Sequence, residues 1–573
     1  MKLRLIAIAT LIVTCATTAW AQLNIGTHET ACDSLTNTFL CSIPEDLYGY
    51  DYTATVQYEG ASNLKIDGKS IEGGFTFDNV RGGHKWNLTG TDVTGKPINA
   101  YITFTFVPIV EINGVVDKIE FHIGQVRVLT PQKNITSACK VKFRGAASNS
   151  SKIEKHNYRL KFIDETGEKV DIKVFDDLRN DNNWILDAGT LDRMRIRNRV
   201  LTDLWIDIAA KPYYSDIEPK ALNASRGHIV EVFSNGEYQG LYNMCEPIDR
   251  KQMKLQKYDE QTGEIHGQLW KSANRSTTTR MAEAKPYNNK TDNWASFEVE
   301  YPDFDEVNPT DFKPLYDVVK FVAESSDEEF ALHAHEYLDV PVLIDYYIFL
   351  QTVLAYDNQG KNMYWAIYDQ ASDKKVTPAI WDFDTSLGQS WKPYEYHPAY
   401  LTFDYDIYKS SNVDMFIKRF VKWNVNGFVD KARERYRELR KGELDATKIQ
   451  QRFSYYMDVL TESGTVGREQ SRWKNPADLS AVPLDLAKEQ AFINDWLVKR
   501  IKWLDEAYFA DHRTGDANND GVVDVADLNI VISHILGEVT IPDIYSYKLD
   551  VTGDMAIDIA DVNSIINIIL NAQ

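Results

Sequence analysis

From residue 22 to 130 the apolar positions come in short alternating runs, such as Tyr52-Thr53-Ala54-Thr55-Val56, Tyr101-Ile102-Thr103-Phe104-Thr105-Phe106 and Ile119-Glu120-Phe121-His122-Ile123. Successive side chains of a strand point to opposite faces, so alternation buries one set and wets the other. β-branched and aromatic residues fill the runs, and turn formers such as Gly82-Gly83 and Asn113-Gly114 separate them. The region reads as a β-sandwich domain without a catalytic constellation.

The pattern changes between 131 and 508. Strand-like pieces continue to about Glu246, at 141–144, 158–163 and a hairpin of 230–233 with 238–242 around Asn235-Gly236, a dipeptide suited to a tight turn with both residues at positive φ. Helical spacing interrupts them at 195–209. From about Pro309 the 3.6-residue period dominates, over 312–325, 341–356, 413–439, 445–461 and 484–509. A strand-rich half followed by a helical half predicts a bilobal α+β domain with a cleft between the lobes. In 510–573 two apolar helical stretches, 528–536 and 562–570, each follow an Asp-rich loop. The fold class expected is therefore multidomain α+β, ending in a small all-α module.

Residues 1–21 are an address. Lys2 and Arg4 precede the apolar run 5–13, and Ala19-Trp20-Ala21 offers a cleavage site, the layout of a secretory signal peptide. The run is far shorter than the ~20 residues that span a bilayer. No later apolar stretch reaches that length, so no transmembrane segment is expected. Thr14 disfavours lipid attachment at Cys15. The destination is the periplasm, the cell surface or the medium. Beyond the signal stand Cys32, Cys41, Cys139 and Cys245. An oxidising compartment permits a Cys32–Cys41 bridge, and four free thiols are the alternative. Without a CxxC pair a cysteine zinc site has no support.

Against 63 Lys+Arg stand 84 Asp+Glu, a formal net charge of −21. That balance argues against nucleic acid as a main partner, because phosphate neutralisation needs clustered cations. The acids instead concentrate in loops. Asp516, Asn518, Asp520, Asp524 and Asp527 occupy positions 1, 3, 5, 9 and 12 of a loop with Gly521 at position 6. This is the ligand spacing of an EF-hand-type calcium loop, with the carbonyl of Val522 at position 7. The loop recurs 34 residues later as Asp550, Thr552, Asp554, Ala556 (by its carbonyl), Asp558 and Asp561, with Met555 in place of the glycine. The pair resembles a type I dockerin: two loop-helix repeats, Asp at position 12 and no entering helix. The resemblance implies two structural calcium ions and a cohesin-type partner. Residues 510–573 hold eleven acids against Arg513 and Lys548, so without metal the module should repel itself.

The densest chemistry lies between 356 and 388. Asp357 and Asn362 are five positions apart, and Trp381-Asp382-Phe383-Asp384 arrives after two strand-like pieces. Phosphoryl transfer needs a carboxylate to orient the acceptor hydroxyl and oxygen ligands for the cation that neutralises phosphate. The spacing follows the protein-kinase catalytic loop, although the preceding His-Arg and the Gly after Asp-Phe are missing. By spacing alone, a structural Asp-Asn turn and a solvated strand end remain open.

Four stretches carry a wider resemblance: Phe143-Arg144-Gly145 to Ser148 with Lys155 and 158–162; Trp184-Ile185-Leu186 with Asp192 and Arg197-Asn198; Asn235-Gly236 through Glu246; and Asp357 to Gly388. Together they resemble the CotH family of spore-coat kinases, which have an atypical protein-kinase-like fold. That implies ATP-dependent phosphorylation of Ser/Thr on a protein phosphoacceptor, with Mg2+ or Mn2+. Asp357 becomes the hydroxyl-orienting base, and Asn362, Asp382 and Asp384 the metal ligands. Arg144, Lys155 and Lys161 are candidate phosphate contacts, each equally readable as a strand-face charge. Glu246 is either a nucleotide contact or an inter-lobe structural carboxylate. The aromatic run Trp391, Tyr394, Tyr396, His397 and Tyr400 either lines an acceptor groove or packs under a loop. His333-Ala334-His335 lacks the spacing of a zinc site.

Two rival functions stay in play. One is a catalytically silent kinase-like component of an extracellular, cellulosome-like assembly, since ATP is scarce outside cells. The other is a carbohydrate-active accessory protein in polysaccharide catabolism, because dockerins often accompany such enzymes; Asp382 and Asp384 give no sign of opposed carboxylates.

Overall fold

The computed structural model describes residues 23–571 except 146–152, 305–306, 308–309, 356, 391–395, 402–413, 475–483 and 542. The signal peptide expected at 1–21 lies outside the described residues.

The N-terminal module is built as expected from short strands. Eight form one sheet in the spatial order Val56–Tyr58, Leu23–Ile25, His28–Asp33, Thr38–Ser42, Pro97–Thr105, Trp86–Asp92, Ala61–Ile66, Lys69–Ser70, and Tyr52–Ala54 pairs with Phe75–Phe77. Its core is aromatic: Phe77, Trp86 and Phe104 meet edge to face at 5.0–5.3 Å between centroids, a geometry that aromatic quadrupoles favour. The Cys32–Cys41 bridge is not made. The hairpin register sets Cys32 opposite Phe39 and Cys41 opposite Thr30, and all four cysteines are free thiols.

The division drawn at residue 130 falls inside the next module. Ile109–Asn113 and His122–Leu129 belong to a closed barrel with Asn134–Arg144, Asn157–Ile163, Asn183–Asp187, Glu237–Cys245 and Gly227–Ser234. Alternation announces a strand but not which sheet it joins, so one continuous β pattern hid the boundary. The run at 119–123 is a strand only from His122, because the Asp117 carboxylate accepts the backbone N–H groups of Ile119 and Glu120 and turns the chain there. In the expected hairpin, Asn235 and Gly236 take φ of 50° and 77°.

A second sheet, ordered Asn293–Trp294, Phe297–Tyr301, Gln268–Ser272, Met363–Ile367, Thr377–Ile380, lies in the helical half. The helices Arg197–Ile208, Lys313–Glu324, Val340–Val353 and Ala446–Glu462 fall close to their expected positions. The run 413–439 is two helices, Met415–Lys422 and Phe428–Arg440, parted where Asn424, Asn426 and Gly427 all have positive φ. One large core, with Trp205, Trp365, Tyr347 and Phe349 fully buried, joins these helices to the second sheet. Among the described residues no helix is long and apolar enough to cross a membrane.

The C-terminal module holds Val525–Ile535, Asp543–Leu549 and Ile559–Asn571 around Val531, Leu549 and Ile565. Contrary to the expectation of no entering helix, the second loop is entered from the helix Asp543–Leu549.

Candidate functional site

The strand Met363–Ile367 leads out of the 357–362 loop and Thr377–Ile380 leads into 381–388, and their pairing brings the two acidic segments together. The loop follows the helix Val340–Val353, which stops at Leu354 in the left-handed region. Asn358 then acts as a clamp: its amide donates to the carbonyls of Asn362 (3.2 Å) and Trp381 (2.7 Å). The N–H of Trp381 donates to the carbonyl of Asn362 at 3.1 Å. Phe383 is fully buried, its ring 5.2 Å from that of Phe349. That anchor sets Asp382 and Asp384 on either side of a fixed point, with Asp382 held at φ 66°.

Asp357 receives three donors: Lys361 Nζ at 2.7 Å, Asn362 Nδ2 at 3.0 Å and Arg275 Nη2 at 3.3 Å. Asn362 thus spends its amide N–H on Asp357. No hydrogen bond among the described residues uses its amide oxygen. Asn198, on the helix Arg197–Ile208, bridges two further acids: its Nδ2 lies 2.8 Å from Asp187 and 3.4 Å from Asp382, and its Oδ1 accepts the N–H of Phe383.

Electrostatics bind these groups into one site. Burial pushes Asp382 up to about 6, and the carboxylates of Asp187 and Asp357 add to it against Lys361 and Asn198. Asp384 is raised well above the usual carboxylate range by burial, then by Asp382, Asp357 and Asp187. Crowded carboxylates of this kind disfavour joint ionisation unless cations are close. Hard oxygen donors from Asp187, Asp382, Asp384 and Asn362 are a set that suits magnesium or manganese. The cluster is looser than a closed cage. Among the described residues only Asp550, Asp554 and Asp561 bring three carboxylate oxygens within 4.8 Å of one another.

Beside the acids stands a group of cations. Arg144 ends the strand Asn134–Arg144 with its guanidinium 5.4 Å from the Trp381 ring centroid. Arg159, bonded to Asn183 at 2.7 Å, is an electrostatic neighbour of Arg144. Lys271 is half-buried beside Tyr364, and its field reaches Arg144 and Asp382. Lys161 lies four register positions along from Arg144 and stacks on Phe121 at 4.8 Å.

Two expected nucleotide contacts are committed elsewhere. Lys155 is fully buried, its ammonium 2.7 Å from both Glu469 Oε1 and the carbonyl of Leu241. Glu246 is fully buried too, paired with Arg226 at 3.0 Å and accepting the N–H of Arg179. Both side chains are thus held in ion pairs in which the carboxylate is buried. Asp192 likewise holds Arg197. Trp391 and Tyr394 lie outside the described residues, Tyr396 packs on Phe492 at 4.2 Å, and Tyr400 is exposed. His333 pairs with Glu336 at 2.7 Å.

Asp187, Lys271, Arg159 and Arg275 were not singled out from the sequence. Asp187 ends a strand directly after the quoted Trp184-Ile185-Leu186, a strand-end acid that could have been flagged. Arg159 and Lys271 carry no signal, since outward charges on strands are common, and Arg275 is a lone charge in the loop after the strand Gln268–Ser272.

Both C-terminal loops repeat one hydrogen-bond scheme. Asp516 accepts the N–H groups of Asp520 and Gly521, as Asp550 accepts those of Asp554 and Met555. Asp527 gathers the N–H groups of Ala517, Asn518 and Asp524, as Asp561 gathers those of Thr552 and Asp558. Asn518 and Asp520 accept within the first loop, Asp524 caps Ala526, and Asp554 and Asp558 do the same work in the second. The position-12 aspartates are fully buried, and in the second loop Asp550, Asp554 and Asp561 bring carboxylate oxygens within 4.8 Å of one another.

A family model described as CotH kinase protein matches residues 141–504. One described as dockerin type I domain matches 514–570. No curated protein matches the chain.

Proposed function

Because the chain belongs to the CotH kinase family and carries a type I dockerin domain, we propose that it transfers the γ-phosphoryl group of ATP to Ser/Thr hydroxyls of a secreted or surface protein. The dockerin, folded around two calcium ions, holds it to a cohesin-bearing assembly outside the cell. The observation that carries the enzymatic reading is the half-buried acid cluster of Asp187, Asp357, Asp382 and Asp384, bridged by Asn198 and flanked by Arg144, Arg159 and Lys271.

Asp382, Asp384, Asp187 and the amide oxygen of Asn362 would hold magnesium or manganese, which when bound supplies positive charge to the phosphate oxygens. Asp357, positioned by Lys361 and Arg275, orients the acceptor hydroxyl. Its oxygen attacks the γ-phosphorus, the bond to the bridging oxygen of ADP breaks, and the hydroxyl proton passes to Asp357 and on to solvent. Arg144, Arg159 and Lys271 balance the remaining phosphate charge, where preorganised cations stabilise transferring phosphoryl groups. Lys161 stands further out on the same face and contributes only field.

The test is incorporation of labelled phosphate from ATP with manganese into a Ser/Thr-rich protein. Asp357→Ala and Asp382→Ala should each lower it by about a hundredfold or more, the scale expected of general base and charge-stabilising groups. Incorporation that survives both changes would overturn the assignment. Calcium titration should reveal two sites, and Asp516→Ala with Asp527→Ala should abolish the first.

A further inference from the structure

Where the N-terminal sandwich, the barrel and the helix Thr465–Arg472 meet, they enclose a cavity of about 520 Å³. We propose that this cavity binds a small hydroxylated carboxylate, one or two sugar rings in size.

Two polar groups of its wall lack partners. Thr103 is 1% exposed and its hydroxyl makes no hydrogen bond. Arg468 spends Nε and Nη2 on Glu231 at 2.7 and 2.8 Å, while its buried Nη1 has none. Burying a donor or acceptor without a partner leaves its desolvation uncompensated, so both atoms have a use for a ligand's oxygens.

Charge selects the sign. Lys85 lies 5.3 Å over the Tyr101 ring and forms no ion pair among the described residues. Arg472 binds the carbonyl of Tyr238 through Nε at 2.8 Å and likewise has no carboxylate partner there. The one acid of the lining, Asp33, already accepts the Thr36 hydroxyl at 2.5 Å and the N–H groups of Leu35 and Tyr238. On a chain of net charge −21 this is a locally cationic cavity. Leu40 and Phe233 give it an apolar side, and Thr38 and Ser471 add hydroxyls. A ring with hydroxyls on its edge and one carboxylate matches that wall, and the volume falls within the usual range for such ligands. The occupant would tie the strand of Thr103 to the helix that carries Glu469, the partner of Lys155.

Calorimetry on the full calcium-loaded chain, with D-glucuronate, D-glucose and inorganic phosphate as separate probes, decides it. Glucuronate should give saturable heat, at least tenfold tighter than the other two. Arg472→Ala and Thr103→Val should each weaken it about tenfold; Lys85→Gln, an exposed change that cannot unfold the chain, should weaken it severalfold. No saturable heat, glucose binding equally well, phosphate binding equally well as a bare anion, or affinity unmoved by these substitutions would each overturn the proposal.

Discussion

A half-buried lysine that makes no hydrogen bond or ion pair among the described residues calls for a partner, and Lys271 sits where a polyphosphate would supply one. Burial lowers its pKa against the pull of Glu300, Glu298 and Asp382, so the fold bears a cost that a bound anion would offset further. Lys271→Ala should therefore leave stability nearly unchanged and weaken nucleotide binding about tenfold, the scale of a hydrogen bond to a charged group; fluorescent-nucleotide titration reads it. Asp339 illustrates the opposite use of burial. It is 2% exposed and accepts the N–H of Tyr213 at 2.9 Å, and burial pushes it up to about 6 from 3.8. The folded chain thus holds that proton more tightly than the unfolded one. Stability from this group is full below about pH 4, falls as pH rises through 6, and is constant above. Asp339→Asn removes the slope, so its stability relative to the parent should improve by up to about 3 kcal/mol between pH 4 and pH 7 in urea unfolding. At this scale the sequence disclosed groups that share a loop, such as Asp357 with Asn362, because five-residue spacing is itself geometry. It concealed Arg159 and Lys271, whose place beside the acids exists only once separate strands face one another.

Between elements, the two calcium loops offer an internal control. Gly521 and Met555 occupy the same loop position with φ of 86° and 64°. Glycine takes that conformation freely, whereas a side chain there costs on the order of 1 kcal/mol. Met555→Gly should then raise calcium affinity of the second loop severalfold, and Gly521→Met should lower that of the first by a similar factor, both read by calorimetry. Equal affinities before and after would mean that the loop does not carry the strain. The repeat was legible because it is a comparison within one chain. The break between Met415–Lys422 and Phe428–Arg440 was not, because both helices bury the same side and the apolar period runs on across it. Only the cluster of Asn424, Asn426 and Gly427, residue types that tolerate positive φ, marks the stop.

The modules are joined by contacts that sequence patterns cannot announce. The N–H of Gly82 donates to the carbonyl of Glu462 at 2.9 Å, and a Cβ at Gly82 would fall 2.0 Å from the carbonyl carbon of Ser463. The barrel crosses the division at 130 in the same way, since Ile109–Asn113 pairs in parallel with Gly227–Ser234. At the other end Tyr545 and Tyr547 pack against the large core of the kinase-like domain, Arg433 bonds the Tyr547 hydroxyl, and Arg437 bonds Asp511. Tyr547 belongs to the helix between the two calcium loops, so its position depends on both being closed. Without calcium the eleven acids of 510–573 repel one another, and this docking should be lost with the module. Chelation is thus expected to split a single calorimetric transition into two. The C-terminal module would melt early and the rest near its former temperature, because a core holding Trp205, Trp365 and Tyr347 does not need the tail. Limited proteolysis should then cut first between 510 and 525. Tyr547→Ala in calcium separates docking from folding. If docking couples the parts, the variant should show the same two transitions with both calcium sites still titrating. A single unshifted transition would mean that the tail is carried without being held.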